Sequence, residues 1–139
     1  MRDCMVNLTA QELIYKQMIL DALDQGYVSE KDTGSLEDCE SFCDLWYELK
    51  DSSDILYDIE YETREGMETN LHPKTSSRHY EIDVHAMEVD GIWVAWDYYY
   101  GGGKHGEPEA FDWINNARIV ECEEKVVTKV EYIFKETSL

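Results

Sequence analysis

The chain has 139 residues, 43% hydrophobic and 12% aromatic, with two prolines and eight glycines. That is about one domain's length with enough apolar side chain for a core, which excludes a disordered acidic tail. Lys and Arg number 12 against 31 Asp and Glu, a formal charge of −19, so the surface repels nucleic acid and anionic membranes and attracts basic proteins.

Residues 1–139 are expected to form one domain, with no internal repeat and no linker. The acids are concentrated in one region and the hydrophobic content is not reduced, which fits halophilic adaptation poorly. Met1–Asn7 lacks the basic-then-apolar pattern of a signal peptide, and no stretch is long enough to span a membrane. Cys4, Cys39, Cys43 and Cys122 are therefore expected reduced, in a cytoplasmic setting. Asn7-Leu8-Thr9 matches a glycosylation acceptor, which has no consequence without secretion.

The first half reads as helix and the second as sheet, the α+β pattern. Thr9, with Glu12 three residues on, forms a capping-box signal for a helix over about 10–25. Ile14, Tyr15, Met18, Ile19, Ala22 and Leu23 recur at helical spacing, and Gly26 supplies the stop. A second helix is expected after Gly34, capped by Ser35 and ended by Asp51-Ser52-Ser53. Cys39, Phe42, Cys43, Trp46 and Leu49 form its apolar stripe. From Ile55 to Glu62 the period changes: Ile55, Tyr57, Ile59 and Tyr61 alternate with mostly acidic residues. That favours a strand with one wet face, with a continued helix as the alternative.

Residues 63–77 read as a mobile loop. Tyr80, Ile82, Val84 and Ala86 then alternate with polar residues, and Asp90-Gly91 suits a two-residue hairpin turn into an aromatic strand over 92–100. Alternation puts Trp96, Tyr98 and Tyr100 on one face and Trp93 and Tyr99 on the other, and one of the two faces should pack against the helices. The second face is then open to a partner or to a second copy in a homodimer. Residues 101–108 form a glycine-rich loop, residues 111–114 give no clear period, and 117–122 with 126–134 read as a closing hairpin. The expectation is α+β, two N-terminal helices packed on an antiparallel sheet of four or five strands.

The second helix carries the functional signal. Glu37, Glu40, Asp44, Glu48 and Asp51 fall three or four residues apart, which on a helix lines them along one face. Like charges at that spacing weaken a helix, and Lys50 is the one basic residue between Lys31 and Arg64. Residues 28–65 hold thirteen acids against three bases, so the charge is patterned. Four residues of helix rise about 6 Å, similar to the phosphate separation along a nucleic-acid strand. Asp54 and Asp58, with Glu60 and Glu62, extend the row. The competing reading is a solvated helix face.

In size, charge and this acidic stretch the chain resembles the small phage-encoded inhibitors that imitate DNA, the anti-CRISPR and anti-restriction type. The resemblance implies blocking of a basic, nucleic-acid-binding host protein, with no direct nucleic-acid or membrane partner, no cofactor and no catalysis. No motif accompanies it.

Other chemistry is weaker. Cys39 and Cys43 lie one helical turn apart, but on the core stripe, where cysteine acts as a small hydrophobe, so no metal is expected. Gly101-Gly102-Gly103-Lys104 lacks the following Ser/Thr and the first glycine of a phosphate-binding loop. In that loop Lys104 and His105 are candidate partner contacts. His85 beside Asp83, and His105 beside Glu107, are acid–base candidates that abundant carboxylates produce by chance. The alternatives are an immunity or antitoxin-like protein neutralising a basic toxin, and a small-molecule-binding or hydrolytic α+β domain using His85 and His105.

Overall fold

A computed structural model describes residues 8–102, 108 and 112–137. Helix α1 spans Ala10–Asp24 and buries Leu13, Ile14, Met18, Ile19 and Ala22, as its periodicity requires. Thr9 Oγ1 accepts from Glu12 N at 3.1 Å. At the other end Gly26 takes φ 78° and Tyr27 N donates to Ala22 O at 2.9 Å, a left-handed stop. The capping box is only half made. The Glu12 carboxylate reaches a different helix, accepting from Phe42 N at 2.7 Å and Cys43 N at 3.0 Å.

The polar turn before Gly34 is itself a short helix, and the expected second helix is two pieces. Helix α2 is one turn, Glu30–Thr33, ended by Gly34 at φ 69°. A 3-10 turn follows at Leu36–Asp38, and the backbone is extended at Cys39. Helix α3 then runs Phe42–Asp51, capped by Ser41, whose Oγ accepts from Asp44 N at 3.1 Å. Ser41, not Ser35, is the cap, because extended backbone precedes it and Glu12 meets the first free N–H groups there.

The segment read as a first strand is helix α4, Leu56–Glu65. Its buried residues are Leu56, Ile59, Thr63 and Arg64, the first three at helical spacing, whereas Ile55, Tyr57 and Tyr61 are exposed. Of the four alternating residues only Ile59 turns inward; Ile55, Tyr57 and Tyr61 lie on the outer side. Thr63–Glu65 therefore belong to this helix rather than to a loop. Gly66 turns the chain at φ 45°, where a Cβ would meet Ala86 O at 2.8 Å and the Trp96 ring at 2.9 Å.

Four antiparallel strands form one sheet in the order β1-β2-β3-β4: Met67–Glu68, Glu81–Val89, Ile92–Tyr100 and Arg118–Val120. Asp90 and Gly91, at φ 51° and 81°, make the expected tight turn between β2 and β3. His85 pairs with Trp96 and Met87 with Val94. Val89, Val94 and Trp96 join the buried residues of α1, α3 and α4 in the main core, completed by Trp113, Ile114 and Ala117. Val84, Ala86 and Ala95 form a second cluster, with Trp93 and Val120 packed against it. The α+β class stands, with four α-helices rather than two among the described residues.

The stretch after Gly66 is anchored. Asp97, wholly buried in β3, accepts from Lys74 N at 2.9 Å, Thr75 N at 2.8 Å and Thr75 Oγ1 at 2.6 Å, and pairs with Arg118 at 3.1 Å. The closing hairpin is not formed. Arg118–Val120 pairs with β3, and 121–137 carries no regular secondary structure. Glu121–Lys125 contains no Gly, Asn, Asp or Pro to make a tight reversal.

Candidate functional site

Of the acidic row, Asp44, Glu48 and Asp51 share the outer face of α3 at i, i+4 and i+7, opposite buried Phe42, Trp46 and Leu49. Glu40 precedes the helix on extended backbone, so it joins the row by a bend in the chain. Asp38, Glu40, Asp44 and Glu48 together line one shallow hollow with Ser35 and Ser41. Glu37, on the 3-10 turn, lines a neighbouring depression with Glu30, Thr33 and Leu36. Asp54 sits in the turn between α3 and α4, and Asp58 in the first turn of α4, where the helix dipole favours a carboxylate. All seven side chains are exposed. The row thus comes from several short elements, not from one long helix.

Two internal contacts hold this surface. The first is the Glu12 cap on α3. The second is Glu60, read from sequence as part of the row, whose Oε1 accepts from Trp46 Nε1 at 2.8 Å and Lys50 Nζ at 2.9 Å. Lys50 also lies over the rings of Tyr57 and Tyr47, at 4.3 and 5.1 Å. The one base of the region is therefore committed to joining α3 and α4. Among the described residues the ion pairs are Lys16–Asp90, Lys50–Glu60 and Arg118–Asp97. None uses Glu40, Asp44, Glu48, Asp51, Asp54 or Asp58.

The local field is felt by Cys39, whose thiol pKa is raised, first by burial and then by Glu12, Asp44 and Glu40, against a lowering contact from the Ser41 backbone. Tyr47, Tyr57 and Tyr61 are about half exposed beside the acids, an aromatic-plus-polar composition common at protein interfaces. Lys104 and His105 lie outside the described residues. Sequence reasoning missed Asp38 as a member of the hollow, having assigned it to a helix's first turn.

A second cluster lies on the sheet. Glu68, Asp83 and His85 bring one potential ligand atom each within 4.8 Å of one another. His85 Nδ1 meets Glu65 O at 2.5 Å, and donation there leaves Nε2 as an acceptor. Tyr98 stacks on the imidazole at 3.9 Å and donates to Glu65 at 2.9 and 3.0 Å. Burial, then the Glu65 bond, pushes the Tyr98 phenol up. Three acceptors together are a donor set that suits a divalent cation. The sequence placed Asp83 near His85 but left Glu68 in a loop. Neither Cys39 nor Cys43 belongs to a group of potential metal ligands among the described residues. Among the described residues, no helix is long and apolar enough to cross a membrane.

Comparison with family models, with curated proteins and with solved structures gives no match.

Proposed function

We propose that this chain is an acidic protein-binding inhibitor that occupies the nucleic-acid groove of a basic host protein, in the manner of DNA-mimicking phage inhibitors acting in the host cytoplasm. The observation that carries this reading is the exposed row Glu40, Asp44, Glu48, Asp51, Asp54 and Asp58, which no ion pair among the described residues neutralises. An acidic protein could reduce self-repulsion by spreading its bases among its acids. Here Lys50 is spent instead on Glu60, and the carboxylates stay available.

Such a surface steers a cationic groove by long-range attraction, and exposed Tyr47 and Tyr57 add apolar contact once the groove closes. The partner is a protein that binds DNA or RNA by its phosphates; nucleic acid itself is repelled. The inhibitor works by occupancy, without catalysis or a cofactor.

The test uses the full chain as bait in a bacterial lysate, with Glu40→Lys/Asp44→Lys/Glu48→Lys as the comparison. The wild type should retain a nucleic-acid-binding protein that rising salt elutes and duplex DNA displaces. The triple variant, folded as judged by circular dichroism, should retain none. Equal retention by the variant sinks the reading.

A further inference from the structure

We infer that residues 126–135 form a strand donated to a second copy of this chain, which places it along the open edge of β4, and that two copies exchange this segment reciprocally. The inference is independent of the acidic row.

The segment is built as a strand and has nothing to pair with. Val126, Thr128, Val130, Tyr132 and Phe134 alternate with a mixed face that carries Lys129, Glu131 and Lys135. Yet Val126 is 98% exposed, Tyr132 81% and Phe134 90%. No backbone hydrogen bond among the described residues involves 121–137. A run of large β-prone side chains in water is a standing invitation to pair.

The acceptor is present in the same molecule. Strand β4 pairs with β3 on one side only, and its other edge has no backbone partner among the described residues. On the sheet face turned away from the main core, a groove lined by Met67, Leu71, Ala86, Trp93 and Val120 crosses from β1 to β4, with Val120 its member on the strand with the open edge. Its rim is acidic, with Glu68, Glu121 and Glu123. The donor carries a single net positive charge, Lys129 and Lys135 against Glu131. A strand added along β4 meets its unpaired backbone groups and sets side chains beside Val120 on one face and Ile119 on the other.

The choice of another copy over the same chain follows from turn chemistry. The β2–β3 hairpin reverses through Asp90-Gly91, both at positive φ. A β4 hairpin would have to reverse within Glu121-Cys122-Glu123-Glu124-Lys125, which offers no residue suited to positive φ and crowds three carboxylates at the bend. A chain that cannot turn back runs on, and the same contacts form across a two-fold axis.

The test is sedimentation equilibrium of the full chain, with hydrogen exchange read at 126–135. The full chain should run at twice 16.3 kDa, with those amides protected. Val130→Asp/Tyr132→Asp should weaken the dimer about a hundredfold or more, leaving the thermal midpoint of the diluted monomer unchanged. Glu123→Asn/Glu124→Gly supplies the missing turn, so it should give a monomer whose 126–135 amides remain protected. A wild type that is monomeric at about 100 µM overturns the inference. So does a dimer that Val130→Asp/Tyr132→Asp leaves at full strength.

Discussion

The carboxylate of Glu12, on α1, closes the N-terminus of α3 at Phe42, with Oε1 2.7 Å from the Phe42 amide. Its second oxygen takes the next amide, Cys43 N, at 3.0 Å. One acid of an acid-rich chain is thereby used to dock the helix that displays the others. The free N–H groups and dipole of α3 make this contact favourable, and it decides where the helix begins.

Glu12→Gln keeps the shape of the side chain and removes its charge. It should lower stability by about 1 kcal/mol, within the range for charge-assisted caps. Glu12→Ala, which loses both bonds, should cost about 2 kcal/mol. Urea unfolding of the two variants checks the order; full stability in Glu12→Gln beside a loss in Glu12→Ala would assign the effect to packing rather than to the charged cap.

Asp97 joins three parts of the chain: β3, the Lys74-Thr75 segment and Arg118 at the start of β4. Asp97→Ala leaves two amides and a guanidinium without their acceptor, so it should destabilise by about 3–5 kcal/mol. Hydrogen exchange should quicken first at Lys74 and Thr75. Unchanged stability would mean that water replaces the carboxylate at no cost.

Gly66 stands where α4 gives way to β1, at positive φ and against the Ala86 carbonyl and the Trp96 ring. Gly66→Ala adds both backbone strain and a backbone clash, and should cost about 2 kcal/mol or more. Gly26→Ala, where nothing lies within 4 Å of the added Cβ, should cost only the strain of its positive φ, about 1 kcal/mol. Thermal melts of the pair separate the two terms.

Cys39 reports on the acidic hollow. Glu40 and Asp44 help hold its thiol above the ordinary value of 9.0, so fewer thiolates are present at neutral pH. Removing those charges lowers the pKa and raises the thiolate fraction. In a Cys43→Ser/Cys122→Ser background, Glu40→Gln/Asp44→Asn should therefore speed alkylation at pH 8, and the rate–pH curve should move to lower pH. A curve that does not move would show that Glu40 and Asp44 take no part, leaving burial and Glu12 as the causes of the raised pKa.

Much of the architecture was legible in the sequence. The α1 cap and stop, the β2–β3 register and the Asp90-Gly91 turn are local signals, and each appears where local chemistry puts it. Helix α4 was misread because Ile55, Tyr57 and Tyr61 alternate well but point outward, while the deciding residues, Leu56, Ile59 and Thr63, include a polar one. The start of α3 was misplaced because its cap partner lies thirty residues back in sequence, beyond any local pattern. For the candidate surface, sequence gave exposure of the acids correctly. It could not give the bend at Cys39–Ser41 that gathers Asp38 and Glu40 with Asp44 and Glu48, nor the diversion of Glu60 to Trp46 and Lys50.

The most direct measurement is competition on the captured target, purified and immobilised, with the chain and a DNA duplex added in turn. Occupancy of a shared groove predicts that each displaces the other, that no ternary complex forms, and that Glu40→Lys/Asp44→Lys/Glu48→Lys no longer competes. A stable ternary complex, or undiminished competition by that triple variant, would contradict the account.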